Sequence, residues 1–535
     1  MSLHRKLIRL WGGFGFALVG CALLGMSAPC DQILSNLSVL AAEEVEPPSL
    51  NLFARKRIKT SEEGEYQVVY EVLNWPARKT AAIVCDMWDN HHCPSAARRV
   101  NEMAPRMNNL LKALRKQGVL IIHCPSGTMK YYEGTSGRLL ALQAPKVETA
   151  VPLQGWCKLD PTCEGPLPID DSDGGCEDPG SKPAAVWTRQ NDLIEIESGD
   201  AIGDNVEVIY LLKQRQIENV IIMGVHVNMC VLGRPFGIRQ LVRQGFNVVL
   251  VRDMTDSMYN PARPPYVSHV RGTELVVEHI EKFWCPTITS GDILGGPAFR
   301  FAEDRRPHVA FLVSDDHYQA DKLLPQFAQW LTEKYDCYTS VMHGLGKQYI
   351  HGIDELEAAD CLVLYIRRLA LPDFQLEKVK RYLSSGKPLV ALRTASHAFA
   401  LRGNTQPPAG HAQWPEFDHE VLGGNYRNHT AKPGTEIEVL PEAQAHPIVA
   451  GLPVKTWVSE GTLYLVSPLR EDAQVLMLGR QGTISEPVTW VRQYQGGRIF
   501  YTSLGHPSDF QQPMFRQLLV NAIFWSINRP IPEPR

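Results

Sequence analysis

Short apolar runs rich in β-branched residues alternate along the chain with stretches whose apolar residues recur at every third or fourth position. In the first half, residues 81–86, 119–123, 184–188, 220–223 and 247–251 read as buried strands, and 96–117, 206–215 and 268–282 as amphipathic helices. The pattern starts again at 308–314, with further strands at 361–366, 388–393 and 497–503 and helices at 320–334, 373–385 and 514–528. Such alternation predicts an α/β protein of two domains, each a mostly parallel sheet covered by helices on both faces.

Length agrees, since 535 residues exceed what one core usually serves. Residues 66–290 and 307–530 are the expected domains, with 1–42 an export signal and lead and 43–65 and 291–306 linkers. The stretch 287–306 is rich in Gly, Pro and Arg and lacks an apolar period, which predicts halves that fold independently.

Ligands of parallel sheets bind at the carboxyl ends of the strands, and Asp86, His123, Arg189, Cys230 and Asp253 all fall there. Cys230 lies between the strand at 220–223 and a helical segment carrying Phe236, Ile238, Leu241 and Val242. A helix N-terminus favours a thiolate and offers free N–H groups to an oxyanion. A free cysteine packed as a small hydrophobe is the competing reading. Trp88, Trp187 and Tyr259 are expected near the mouth of such a site, or as its plain apolar wall. Arg234 is placed to hold a substrate carboxylate, or to be solvated on a helix face.

Asp86 after the first strand, a basic residue after a middle strand, and Gly224-Val225 followed by Cys230 resemble the isochorismatase-like cysteine hydrolase superfamily over about residues 66–290. The resemblance implies Cys230 as nucleophile, Asp86 as general base and Arg189 in the place of the family's triad lysine. It also implies a cis peptide at Val225-His226, with the N–H groups of His226 and Cys230 as an oxyanion hole. The activity implied is hydrolysis of a C–N bond in a small carbonyl compound through a Cys thioester. Two parts depart from the family pattern: Arg189 keeps the charge of a lysine but cannot give up its proton, and Val227 stands where a threonine is common. Arg189 is expected to depress the pKa of Asp86 and, with the helix end, that of Cys230, so that the thiol alkylates readily near neutral pH. Some relatives hold a metal through Asp-X-His after the second strand. Here the place reads His123-Cys-Pro-Ser-Gly-Thr128, so no metal or cofactor is carried over.

The second half resembles the trehalose-utilisation (ThuA-like) family, which has the class I glutamine amidotransferase fold, over about residues 307–530. The pieces that match are Thr394-Ala-Ser-His397, the Gly423 to His429 stretch, His446-Pro447, Glu460 and Leu504-Gly-His506. The turn after the strand at 388–393 has no cysteine, so glutaminase chemistry is not expected. His397, His429, Glu460 and His506 are candidates for a sugar or metal site, against the plain reading of the histidines as structural.

A net charge of −4 and a pI of about 6.5 give no reason to expect nucleic acid as a partner. The N-terminus changes the picture. His4, Arg5, Lys6 and Arg9 precede an apolar stretch at 10–26, the pattern of an export signal, too short and glycine-rich for a stable membrane span. Leu18-Val-Gly-Cys21 resembles a lipobox that would make Cys21 a membrane anchor; cleavage after Ala28 or Ala41 competes with it. A periplasmic or extracellular homo-oligomer acting on a small molecule is expected. In that compartment the 12 cysteines invite disulfides, with Cys157, Cys163 and Cys176 in the long loop at 153–183 the best candidates. Cys85 and Cys361 read as buried. The acidic run 170–178 is either a calcium loop or a solvated turn, and Asp89, His91 and His92 either metal ligands or polar surface.

These readings converge on an exported cysteine hydrolase with an accessory ThuA-like domain. The rivals are a sugar enzyme acting through the second domain beside a degenerate first one, and a binding or assembly protein in which neither site turns over.

Overall fold

The first sheet holds β1 (Ser49–Lys59), β2 (Tyr66–Pro76), β3 (Thr80–Cys85), β4 (Leu120–Cys124), β5 (Ala201–Ile202), β6 (Asn219–Val225), β7 (Asn247–Asp256) and β8 (Thr287–Ile288). Their spatial order is β2-β1-β8-β7-β6-β3-β4-β5 in this computed structural model, which describes residues 48–60, 65–453 and 456–535. The stretch expected to be an export signal, with Cys21, lies outside the described residues. Six strands, β8 to β5, run parallel, and β1 and β2 add an antiparallel edge. Every residue of β3 and β6 is buried, as expected for central strands covered on both faces. One cover is the helix Pro94–Lys116, whose Val100, Met103, Met107, Leu110, Leu111 and Leu114 form a single apolar stripe. Pro94 starts it at a position where the missing N–H costs nothing, and Gly118 with φ 92° lets the chain turn away.

Two elements differ from expectation. Residues 49–59, expected as a linker, are a full strand paired along its length with β2, and Arg55 and Arg57 fix it to the buried Glu281. Residues 184–188, expected as a strand, are irregular and mostly exposed, and the outer parallel strand is β5 instead. A five-residue apolar run lacks the length to separate a strand from a loop lying on the surface.

Chain order in the parallel part reverses between β3 and β6. From β3 the chain moves outward through β4 and β5, then returns to lay β6 on the other side. The crevice at that reversal is where doubly wound sheets bind ligands.

The second sheet has nine strands in the spatial order Tyr338–His343, His308–Ser314, Cys361–Ile366, Leu389–Leu392, Gly497–Thr502, Ile484–Tyr494, Gln474–Gln481, Thr435–Val439 and Trp457–Ser459. The first five are parallel and the rest antiparallel. Helices Ala320–Tyr335 and Pro513–Ser526 pack on one face, and Asp373–Ser384 on the other.

The connector at 289–306 is built into the joint between the sheets and is not a free linker. The N–H groups of Gly296 and Ala298 donate to Asp354 and Glu355, Phe299 N–H donates to Asp253, and Arg306 pairs with Glu274. Phe53 stacks on both Tyr70 and His351 across the same joint, beside a cavity of about 660 Å³. No described helix is long and apolar enough to cross a membrane.

Among the described residues one disulfide, Cys93–Cys176, ties the start of the helix Pro94–Lys116 to the long insertion. Cys176 was an expected participant, but Cys157 and Cys163 are free. Closing a separation of 83 residues restricts the unfolded chain by about 4 kcal/mol in the loop-entropy account. Dithiothreitol, or Cys176→Ser, is therefore expected to lower the melting temperature by on the order of 10 °C, read by calorimetry. A shift of a degree or less would mean that the bond carries no such constraint.

Candidate active site

Cys230 is the first residue of the short helix Cys230–Gly233, five residues beyond the end of β6. The turn that delivers it depends on Gly224, whose φ is 108° and whose absent Cβ would fall 2.0 Å from the carbonyl oxygen of Cys85. Only glycine lets β6 approach β3 this closely. The Val225-His226 peptide is cis, the bond implied by the family resemblance.

Asp86 leaves the end of β3 with φ 48°, a left-handed conformation that aspartate tolerates better than most residues. Its backbone N–H donates to the Cys124 carbonyl, which fixes the loop. The carboxylate is fully buried. Oδ1 accepts the Ser126 N–H at 2.8 Å, and Oδ2 accepts Arg234 Nε at 3.3 Å and Nη2 at 3.2 Å. The Cys230 thiol lies close enough to the same carboxylate for each to shift the other's titration.

Arg189 is not part of this cluster. Its guanidinium lies on Asp192 at 2.6 Å and Asp89 at 3.4 Å, with Tyr131 beneath it, at the surface. The family's lysine position had been placed on Arg189 through the supposed strand at 184–188, which does not form. Arg234 supplies the cation, so its expected role as a free carboxylate anchor also changes: its charge is committed to Asp86. Because exposed pairs contribute about 0–1 kcal/mol, Arg189→Ala is expected to leave kcat/KM within about fivefold of wild type. A loss of several orders of magnitude would return Arg189 to the machinery.

Electrostatics at the pair also differ from expectation. Burial raises the pKa of Asp86 above the ordinary carboxylate value, with Arg234 and the bonds from Cys230 and Ser126 pulling the other way. The Cys230 thiol is pushed well above its usual value, first by burial and then by the neighbouring Asp86 charge, which Arg234 only partly offsets. The proton therefore sits on sulfur until something displaces it. A carboxylate of raised basicity against the thiol is the better base for taking it.

An aromatic stack built from the loop after β3 and from Trp187 is tied to Ser126, whose carbonyl accepts the Trp88 Nε1–H at 3.1 Å. Trp88 stacks on Trp187 with centroids 4.3 Å apart, His91 stacks on Trp187 at 5.6 Å, and His226 meets His91 edge-on at 5.1 Å. Burial holds His91 down to about 4 and His226 to about 3, so both rings are neutral at physiological pH. Tyr259, expected at the mouth, is fully buried against Gly272 instead, with its hydroxyl donating to the Arg263 carbonyl. Sequence reasoning missed Ser126, whose backbone N–H holds the Asp86 carboxylate; nothing in its residue type signals that role.

The insertion at 153–183 covers the cluster. Trp156 lies over Gly233 with the Arg234 guanidinium 5.7 Å from its ring, and Asn228 donates to Asp171. The acidic run is tied inward: Asp178 accepts from the Ser95 N–H and hydroxyl, and Asp173 accepts from Asn260.

In the second domain the three histidines among the four candidates each meet a tyrosine, and Glu460 lies near His506. His397 is buried, stacks on Tyr426 at 4.6 Å and shares a hydrogen bond with Ser396. His429 is exposed, with its ring 6.2 Å from that of Tyr464. His506 bonds Ser508 Oγ and sits edge-on to Tyr318 at 6.4 Å, within the field of the exposed Glu460. In the turn after Leu389–Leu392, Arg393 has φ 41°.

Residues 316–526 match the ThuA family, described as trehalose utilisation. No curated protein matches the chain. Among solved structures, a ThuA-like protein from Bacteroides uniformis is similar at 18% identity over 43% of this chain and 95% of that one, with a TM-score of 0.33. A cysteine hydrolase from Pseudomonas syringae pv. phaseolicola is similar at 15% identity over 44% of this chain and 97% of that one, with a TM-score of 0.27. An isochorismatase family protein from Burkholderia thailandensis is similar at 14% identity over 40% of this chain and 94% of that one, with a TM-score of 0.24.

Proposed function

We propose that the first domain is a cysteine hydrolase that cleaves the C–N bond of a small amide or ureide. One observation carries the reading: a helix-start cysteine lies within the field of a buried carboxylate, which is itself held by Arg234 and the Ser126 N–H. A core that only needed to bury a cysteine would gain nothing from a buried charged pair beside it, because desolvating that pair is costly.

In the proposed cycle Asp86 takes the Cys230 proton as sulfur attacks the carbonyl carbon. Negative charge on the carbonyl oxygen is received by the N–H groups of His226 and Cys230. Asp86 passes its proton to the leaving nitrogen, the C–N bond breaks, and an amine or ammonia departs. Water then gives a proton to Asp86 and adds to the thioester; the acid is released and the thiol regains its proton. Arg234 takes no proton at any step, since guanidinium does not titrate in this range. It keeps the buried carboxylate ionised enough to act. The neutral wall of Trp88, Trp187 and His91 suits a flat, uncharged acyl group.

The Cys93–Cys176 bond supports an exported protein, because such bonds persist in oxidising compartments. A screen of amides and ureides against the full chain tests the reading. Quenched reactions are expected to carry an acyl mass on the peptide containing Cys230, released by hydroxylamine. Turnover without any such adduct, and undiminished in Cys230→Ala, would defeat it.

A further inference from the structure

We propose that the second domain binds a small organic anion, bearing a phosphate or a carboxylate, where Arg367, Arg368, Arg393 and Arg402 converge at the strand ends. Among the described residues none of the four forms an ion pair with a carboxylate, whereas the buried Arg57, Arg239, Arg271, Arg306 and Arg492 each do. Positive charge gathered without its counter-ion is costly to keep, and it points to a ligand that supplies one.

Two of the arginines leave a donor unused. Arg393 is almost wholly buried: Nη1 donates to the Ser503 carbonyl at 2.8 Å and Nη2 to Thr462 Oγ1 at 3.4 Å, while Nε has no partner. Its guanidinium is clamped between Tyr318 at 4.3 Å and Tyr464 at 4.8 Å, so it is already ordered. Arg368 donates through Nη1 to the Ala400 carbonyl, and its Nε is likewise buried and unpartnered. Asp315, a carboxylate in the strand-end loops, is occupied by the Thr394 hydroxyl and the N–H groups of His317 and Tyr318, and Asp509 by the N–H groups of Gly505 and His506.

The place in the fold agrees. From His308–Ser314 the chain goes to Tyr338–His343 on one side and then to Cys361–Ile366 on the other, so the order reverses at that first strand. Residues 315–318 and Arg367 with Arg368 therefore flank the crevice where such sheets take ligands. The crowding is also electrical: His397 is pushed down to about 3 by burial and then by all four arginines. Flat faces are present beside the charge, since Tyr426 stacks on His397 and lies within the field of Arg368, Arg393 and Arg367. The four arginines supply charge, and the half-buried Tyr426 a surface for the rest of the molecule.

Equilibrium binding to the full chain at fixed ionic strength tests this, with glucose 6-phosphate, glucuronate and glucose as probes. One or both anions are expected to bind at least about tenfold more tightly than glucose, a difference of about 1.4 kcal/mol. Which anion binds distinguishes phosphate from carboxylate. Arg402 is exposed, so Arg402→Gln is expected to fold normally and to weaken the anion by roughly three- to tenfold. Ligand should leave the alkylation rate of Cys230 unchanged, which separates this site from the one around Arg234. Equal affinity for glucose, no binding by either anion, or protection of Cys230 together with an unaffected Arg402→Gln would each overturn the proposal.

Discussion

Arg234→Gln is expected to lower turnover by roughly a thousandfold and to destabilise the first domain by about 2–3 kcal/mol. Removing one member of a buried pair typically costs about 3–5 kcal/mol, and the value is discounted here because the Arg234 side chain is 27% exposed. What remains is a fully buried Asp86 with the Ser126 N–H and the Cys230 thiol as its partners. Its pKa, already raised by burial, loses the charge that opposed the rise and moves higher. Two pH effects follow. The base works only when ionised, so the acid limb of kcat/KM shifts to higher pH in the variant. A carboxyl whose folded pKa exceeds its unfolded value binds protons more readily when folded. Stability contributed by that proton is present below the unfolded value and is lost as pH rises through the folded one. Arg234→Gln should therefore be closer to wild-type stability at acidic than at neutral pH, measured by urea unfolding at both. An unmoved acid limb with near-normal turnover would show that Arg234 does not govern Asp86.

Cys230→Ala is expected to remove at least about 10⁴-fold of the activity while leaving the fold in place, because the nucleophile and its base act as a unit. The substitution deletes one sulfur from a half-buried site, so circular dichroism and melting should change little. Asp86→Asn should be nearly as damaging to rate. The unreacted thiol should also be quiet: with its pKa pushed up, Cys230 is expected to alkylate more slowly at pH 7 than a free cysteine. This reverses the expectation drawn from a cation at Arg189. Rapid alkylation at neutral pH, or hydrolysis persisting in Cys230→Ala, would exclude the proposed chemistry.

The central strands and their helices were legible because each is buried on both faces and reads as an unbroken apolar run. The edges were less so. In β1, Arg55, Lys56, Arg57 and Lys59 interrupt the apolar pattern, and a strand held by Arg–Glu pairs looks like a solvated linker. Asp86 and Cys230 were accessible from position and family likeness, since both follow central strands directly. Arg234 was visible but ambiguous. Its role depends on whether the residue capping a four-residue helix turns its side chain inward, which no periodicity over four residues can decide. Cys93 was overlooked as a disulfide partner because its sulfur meets one 83 residues away, a matter of tertiary folding alone.

Cys230 and Arg234 stand one helical turn apart, with the Arg234 N–H donating to the Cys230 carbonyl. Nucleophile and counter-charge are thus encoded within five successive residues and borne on one rigid turn, whereas a lysine from another strand would have to be brought to Asp86 by the wider fold. Any shift of that turn moves sulfur and guanidinium together and keeps their separation. Across descendants of this chain the two residues should persist or decay as a pair, and a lineage that has abandoned catalysis should be betrayed by the loss of arginine as readily as by the loss of cysteine.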